Sequence, residues 1–158
     1  MPHENQLRKQ LVQLITGSEA HAGFEKAIKG LPVKDRGRVP KGAEHSAWQL
    51  VEHLRIAQWD ILEFSRDPKH NSPKWPDEYW PKDPEPPSDA AWEQSVKTFR
   101  QDQTAMCELI SDSDTDLYAK IPGGDGQTIL REAFLIADHN AYHVGQLVLL
   151  RRLLGDWK

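Results

Sequence analysis

The eleven prolines of this 158-residue chain are grouped so that four long stretches contain none, and this grouping constrains the fold most. Proline lacks the backbone donor and clashes with the preceding turn, so long helices must lie between prolines. The proline-free stretches run about 3–31, 41–67, 88–121 and 123–158. Apolar residues recur in each at a period of about 3.6 rather than alternating. The sequence therefore predicts an all-α protein with four helices.

Capping signals mark the bounds of two of these helices. Ser46 precedes an apolar run and Gln49 follows three residues later, which is the pattern of a capping box. Thr128, after a glycine-rich turn, is the predicted N-cap of the fourth helix, and Gly155 is its predicted end. Both signals are local, so they predict helix bounds without any knowledge of the tertiary fold.

The first and third helices carry further patterns. In the first, a weak point at Gly17–Ser18 interrupts the apolar period, which then continues to Ile28. In the third, residues at alternating spacings of four and three form a heptad seam with one polar member. The seam consists of Trp92, Val96, Phe99, Gln103, Met106 and Ile110. It predicts packing against a partner helix.

Residues 66–90, here named the proline-rich segment, differ from the rest of the chain. They hold seven prolines together with Trp75, Tyr79 and Trp80 among charged residues. A segment of this composition is neither helix nor strand throughout, so it predicts an ordered excursion or a mobile flap between the second and third helices. Two interpretations of its role stay open: a cover over the end of the bundle, or a wall or lid of a ligand pocket.

Composition excludes several classes of function. The formal net charge is −4 and no extended basic tract is present, which argues against a nucleic-acid partner. No apolar run approaches the roughly 20 residues that span a bilayer, and the N-terminus lacks a signal-like run. Cys107 has no second cysteine to pair with and is expected to be a small core residue. We expect one domain over residues 1–158, located in the cytoplasm.

Three histidines occupy positions where an apolar stripe would normally have leucine. His53 lies in the second helix, while His139 and His143 in the fourth are spaced i, i+4 and point almost the same way. A single histidine on an apolar face is more often a hydrogen-bonded core residue, and an i, i+4 pair of histidines often arises by chance. Burying all three costs roughly 1–3 kcal/mol for each unsatisfied polar group, and one divalent cation compensates them together. The combination predicts a metal site with open coordination positions, as catalytic sites have.

The other histidines need no such explanation. They stand near chain ends, in loops or among polar residues, and they are expected to be exposed: His3, His21, His45 and His70. His45 is the one expected nearest to the site, because it directly precedes the helix that carries His53.

The neighbours of the histidine pair exclude one chemistry and suggest supporting residues. Zinc proteases of the His-Glu-x-x-His type place a glutamate beside the first ligand, and that position here is Asn140. Four nearby carboxylates are candidates for orienting the imidazoles, although each is more readily explained as a surface charge; they are Glu52, Asp60, Glu132 and Asp138. Tyr142 and Gln146 each offer a hydrogen bond to a substrate, although packing at a helix interface is the simpler interpretation of Tyr142. Gly145 is expected to let another backbone approach closely.

Two sequence motifs around these histidines resemble a known family. The first is SAWQLVEHL at 46–54, and the second is DHNAYHVGQL at 138–147 followed by LLRRLLG at 149–155. In order and spacing the whole chain resembles the DinB-like family, the YfiT/DinB superfamily of metal-dependent enzymes, apart from the variable proline-rich segment.

The resemblance implies an up-down-down-up four-helix bundle with a long connection between the second and third helices, often assembled as a homodimer. It also implies that the counterparts of His53, His139 and His143 hold a divalent ion such as nickel, zinc or iron. Relatives include transferases and isomerases in which the metal activates a low-molecular-weight thiol, and some have been proposed to be hydrolases. The motifs carry the metal site across to this chain and leave the substrate open.

Three functional hypotheses follow. In the first, the chain is a metal-dependent enzyme that activates water or a low-molecular-weight thiol toward a small electrophile, as a hydrolase or an S-transferase. In the second, it is a non-catalytic helical module in which a structural ion clamps helices and the bundle acts through a partner or dimer surface. In the third, a pocket under the proline-rich segment sequesters a ligand without turnover.

Overall fold

The computed structural model describes residues 2–17 and 20–157, and the regular elements among these residues are all helical, without a β-strand. The predicted all-α class is therefore confirmed. The helices are α1 Pro2–Thr16, α2 Phe24–Ile28, α3 Ala47–Arg66, α4 Asp89–Ser111 and α5 Ile129–Leu154, with a short 3₁₀ turn at Val33–Asp35. Within the described part of the chain no helix is both long and apolar enough to cross a membrane.

The first predicted helix is wrong in one respect, because the structure divides it into two. Helix α1 ends at Thr16, and Gly17 follows with a φ of 44°, a left-handed conformation that a continuing α-helix does not adopt. The later part of the apolar pattern belongs to the separate helix α2. The predicted weak point at Gly17–Ser18 therefore ends the helix, although Ser18 itself lies outside the described residues.

The predicted caps of α3 and α5 are confirmed. The Ser46 hydroxyl accepts from the Gln49 amide, and the Gln49 side chain accepts from the Ser46 amide at 3.1 Å. Thr128 accepts from the Arg131 amide at the start of α5. Gly155 ends that helix with a φ of 79° in the left-handed region.

Hydrogen bonds between α1 and α4 show that these two helices are antiparallel. Gln103, in the middle of α4, donates to the carbonyl of Ile15 near the end of α1. Arg8, near the start of α1, donates to the carbonyl of Ile110 near the end of α4. Residue numbers thus rise along one helix as they fall along the other.

Two apolar clusters show how the remaining helices run. One cluster joins α2 to the starts of α3 and α4 and to the end of α5; its large members include Phe24, Trp48, Leu50, Trp92, Leu147 and Leu150. The other joins α1 to the ends of α3 and α4 and to the start of α5; it includes Leu11, Ile15, Leu62, Met106, Ile110 and Ile136. Helices α3 and α4 are therefore parallel and α5 is antiparallel to them, which gives the predicted up-down-down-up order. The long proline-rich connection joins α3 to α4, as expected.

Buried amides link three helices midway along the bundle. Gln58 on α3 is fully buried, donates to the Phe99 carbonyl on α4 at 2.7 Å, and accepts from the Asn140 side chain on α5 at 2.9 Å. Because a buried amide is stable only where its hydrogen bonds are made, this pair fixes α5 against α3 at one level. His139 directly precedes Asn140, so the same bonds set the height at which the fourth-helix histidines face α3.

Replacing Ser46 by alanine tests the cap of α3. The hydroxyl accepts from the Gln49 amide and donates to the Pro84 carbonyl of the proline-rich segment, and both bonds are lost in Ser46→Ala. We expect the free energy of unfolding to fall by about 1–2 kcal/mol and Tm by roughly 2–8 °C. Urea and thermal unfolding followed by circular dichroism measure the change.

The matched control is Ser88→Ala at the start of α4, where the exposed hydroxyl only caps the Ala91 amide. We expect a smaller loss there, of about 0.5–1 kcal/mol. Equal losses in the two variants would mean that the bond from Ser46 to Pro84 adds nothing to stability.

Candidate metal centre

The three predicted histidines meet at one point between α3 and α5. Nε2 of His53 lies 3.1 Å from Nε2 of His143 and 3.0 Å from Nε2 of His139. One ring nitrogen from each residue lies within 4.8 Å of the others. The meeting follows from the fold, because the i, i+4 pair on α5 faces the early part of antiparallel α3. His53 is 1 % exposed and His143 7 %, whereas His139 is only partly buried.

The second ring nitrogen of two histidines has an oxygen partner. His53 Nδ1 lies 2.9 Å from the backbone carbonyl of Tyr79, and His143 Nδ1 lies 2.7 Å from Oε1 of Gln146. A carbonyl oxygen only accepts, so each Nδ1 carries the proton and donates it. In a neutral imidazole the Nε2 atom then has a free lone pair. The lone pairs of both residues are therefore directed at the common point.

The third histidine leaves polar atoms without partners. His139 Nδ1 and Asn140 Oδ1 are buried and have no hydrogen bond. Buried polar atoms are rarely left in this state unless a ligand or a rearrangement satisfies them. The orphaned atoms lie on the residue of the cluster that is most accessible and on its neighbour.

A proton shared among the rings does not account for the cluster near neutral pH. Burial is the main cause that lowers the pKa of His53 to about 3, and the nearby His143 and His139 contribute to the same shift. Burial, followed by His143, lowers the pKa of His139 to about 4. Burial also lowers the pKa of His143. All three rings are therefore neutral at pH 7, and the Nε2 lone pairs of His53 and His143 face each other.

The donor set fits a divalent cation. Two nitrogens that each lie about 2.1 Å from one ion are roughly 3.0–3.4 Å apart, and the separations of 3.0 and 3.1 Å fall in this range. Neutral imidazole suits nickel, zinc and iron alike, and thiolate ligands are lacking among the described residues of the cluster.

The proline-rich segment lies against this cluster. The Trp80 ring stacks on the His53 ring with centroids 3.7 Å apart and planes 6° apart, and His45 stacks on Trp80 at 4.0 Å. Tyr79 is buried beside them, whereas Trp75 is 70 % exposed at the rim. The segment thus packs directly against the histidine cluster, and its predicted role as a wall or lid of a ligand pocket stays a prediction.

Three carbonyls of the proline-rich segment accept hydrogen bonds from one face of α3. The pairs are Ser46 Oγ to Pro84 O, Gln49 Nε2 to Pro81 O, and His53 Nδ1 to Tyr79 O. Positions 46, 49 and 53 lie on one side of a helix, and the residue numbers of the acceptors fall as those of the donors rise. The segment therefore runs antiparallel along the beginning of α3, and His53 belongs to this series of donors.

Two of the four remaining histidines are not exposed, contrary to prediction. His45 is partly buried because it stacks on Trp80. The His70 side chain is only 9 % exposed, because its Nε2 lies 2.7 Å from the Asp60 carboxylate. His3 and His21 are exposed as expected. The error arose because contacts made by the proline-rich segment cannot be read from local polarity.

Among the four carboxylates considered as supports, two are buried rather than on the surface. Asp60 accepts from His70 and from the Tyr79 hydroxyl. Glu132 is 2 % exposed, and burial raises its pKa despite the adjacent Arg131. Glu52 pairs with Arg55, and Asp138 is exposed as expected. The acceptors that orient His53 and His143 are instead the Tyr79 carbonyl and the Gln146 amide, and the sequence had marked Gln146 only for a hydrogen bond to substrate.

Three further expectations concern α5. Gln146 bonds His143, so its side chain is engaged in orienting that ring. The packing expected for Tyr142 is wrong: it is 64 % exposed, with its ring edge-on to His143 at 4.9 Å. The close approach expected at Gly145 is also wrong, since a methyl group there would meet no atom within 4 Å.

A cavity of about 320 Å³ adjoins this region. Four of its nine lining residues are leucines of α3 and α5, and its polar members are Glu44, His45 and Gln146. Gln146 bonds His143 directly, whereas His45 reaches His53 through Trp80, which stacks on both rings. The space is suited to a small, largely apolar molecule.

Comparison with known proteins gives one match. A family model described as the DinB superfamily matches residues 17–147, which include all three histidines of the cluster. Among curated proteins and among solved structures, nothing matches the chain significantly.

The lowered pKa of His53 predicts how the metal-free protein responds to acid. Its folded pKa of about 3 lies below the ordinary value of 6.5, so the unfolded state binds more protons between these values. The contribution of His53 to the free energy of unfolding is therefore fully present above about pH 7. It falls as the pH is lowered, by up to about 1.4 kcal/mol per pH unit. Urea unfolding of chelator-treated protein between about pH 7 and 5 measures the slope.

A variant without the imidazole should flatten that slope. We expect the free energy of unfolding to depend less on pH in His53→Leu, because the contribution of one buried histidine is removed. His21→Leu, at an exposed position, should leave this dependence as in the wild type. An unchanged slope in His53→Leu would show that the imidazole is not kept neutral by its surroundings.

Proposed function

The chain belongs to the DinB superfamily, and we propose that it is a metal-dependent enzyme in which His53, His139 and His143 hold one divalent ion. The convergence of three neutral imidazoles, with the Nε2 lone pairs of His53 and His143 turned toward each other, carries this proposal, since a bundle with no use for an ion gains nothing by placing these lone pairs in contact. Nickel, zinc and iron are the candidate ions, because imidazole binds all three.

The proposed reaction is the attack of water or a low-molecular-weight thiol on a small electrophile, so the enzyme is a hydrolase or a thiol S-transferase. A divalent ion bound there would supply the Lewis acidity that lowers the pKa of water or a thiol toward neutrality. The protein orients the imidazoles through Tyr79 and Gln146, and Trp80 keeps water from one face of His53. The exposed Tyr142 hydroxyl, on the ring beside His143, offers a hydrogen bond to substrate.

We further propose that the substrate is a small molecule, that residues 1–158 act as one domain, and that the protein is a cytoplasmic homodimer. The cavity beside Gln146 supports the first proposal. Exposed apolar side chains along α5 support the dimer: Phe134, Tyr142, Leu149 and Leu153. The lone Cys107 is compatible with a reducing compartment.

Metal content tests the foundation of this proposal. We expect protein purified without added metal, then loaded with nickel or zinc, to retain about one ion per chain after desalting. His53→Ala, His139→Ala and His143→Ala should each lose it, because removing a ligand leaves two. Elemental analysis measures the ratio, and His21→Ala serves as the control at an exposed histidine. Full occupancy in all three ligand variants would refute the site.

Chelation separates an enzyme from a helical module with a structural ion. The two apolar clusters of the bundle contain none of the proposed metal ligands, so we expect the metal-free protein to keep its helicity. Far-ultraviolet circular dichroism before and after chelation measures this. Loss of helicity on chelation would favour the structural alternative, since structural sites supply folding energy outright.

A further inference from the structure

Hydrogen bonds lead from His53 to a carboxylate outside the histidine cluster. The Tyr79 carbonyl accepts from His53 Nδ1, and the phenol hydroxyl of the same residue donates to Asp60 Oδ2 at 2.6 Å. The other carboxylate oxygen, Oδ1, accepts from His70 Nε2 at 2.7 Å. Asp60 therefore fastens the proline-rich segment at two points, residues 70 and 79.

The positions on α3 explain why a tyrosine makes this link. Asp60 follows His53 by seven residues, so the two side chains lie two turns apart on one face, roughly 10 Å along the axis. Tyr79 spans that distance with its hydroxyl at one end and its carbonyl at the other. A shorter side chain at position 79 would leave either Asp60 or His53 without its partner.

Burial makes these bonds obligatory. Asp60 and Tyr79 are each 8 % exposed, so water does not replace a lost partner readily. The residue after Tyr79 is Trp80, whose ring stacks on His53. The bond to Asp60 thus helps to place both groups that contact the His53 ring, the Tyr79 carbonyl at its edge and the Trp80 indole on its face.

We propose that Asp60 is a positioning residue for His53 and acts through Tyr79. By holding the phenol, the carboxylate fixes the Tyr79 carbonyl, which keeps the His53 proton on Nδ1 and turns Nε2 toward His139 and His143. The consequence for metal affinity rests on the proposed metal site. The tautomer itself is a property of the metal-free protein and is measured independently.

The first measurement uses metal-free, ¹⁵N-labelled protein. Imidazole nitrogen resonances report which ring nitrogen carries the proton, and we expect His53 to show only the Nδ1–H form in the wild type. In Tyr79→Phe the carbonyl loses its anchor, so we expect a mixture of the two tautomers or exchange broadening. The control is Tyr118→Phe, since Tyr118 is 61 % exposed and lies outside the proline-rich segment.

The second measurement is zinc affinity, determined by competition with a chromophoric chelator. We expect Asp60→Ala to weaken binding about tenfold, in the range seen when outer partners of metal ligands are removed. Asp60→Asn should retain most of the affinity, because its amide oxygen still accepts from the Tyr79 hydroxyl. Asp77→Asn removes an exposed carboxylate from the same segment and should leave the affinity unchanged.

The outcomes are separable. The proposed role of Asp60 would be overturned if His53 kept a single Nδ1–H tautomer in Tyr79→Phe and Asp60→Ala bound zinc within about twofold of the wild type. A lowered Tm with an unchanged tautomer would also overturn it, because the contact would then be structural only. If the wild type binds none of nickel, zinc and iron, the proposed function fails, and the tautomer measurement still decides the positioning role. Should Asp60→Ala not fold, Tyr79→Phe and Asp60→Asn decide it.

Discussion

The contact of three neutral imidazoles governs the middle of this bundle. Their Nε2 atoms lie 3.0 and 3.1 Å apart, and donation from Nδ1 of His53 and His143 leaves lone pairs facing each other. Such a contact is unfavourable by itself, so other interactions must hold it in place. The amide pair of Gln58 and Asn140 does so by fixing the height of α5 on α3, and the proline-rich segment does so by closing over His53.

Local features of the fold were predictable from the sequence, and tertiary ones were only partly so. The capping box at Ser46 and the i, i+4 pair on α5 depend on residues within one or two turns, so pattern alone identified them. The up-down-down-up order came from family resemblance, because helix periodicity does not say which helices are neighbours. The division of the first helix at Gly17 depended on a backbone conformation that the apolar period does not encode.

The surroundings of the histidines were the least predictable part of the site. Their partners are a backbone carbonyl and a neutral amide, and neither leaves a recognisable pattern in sequence. Asp60 and His70 were taken for surface residues because polar residues are usually exposed, yet the proline-rich segment, to which His70 belongs, folds onto Asp60. Contacts between residues 10 and 19 positions apart, made by a segment without regular structure, decide the burial of these two residues.

Two features depart from an ordinary helical pattern, the buried histidines and the proline-rich segment, and they meet at His53. The imidazole requires a hydrogen-bond acceptor, and the carbonyls of the segment require donors. Proline has no backbone donor and so limits hydrogen bonding within the segment, which leaves carbonyls such as those of Tyr79, Pro81 and Pro84 to accept from α3. A buried imidazole needs an acceptor at Nδ1 if its Nε2 lone pair is to stay available. The segment supplies that acceptor as a neutral carbonyl, which orients the His53 ring without adding a buried charge beside it. The composition that breaks the helical pattern is therefore what makes His53 a fixed donor.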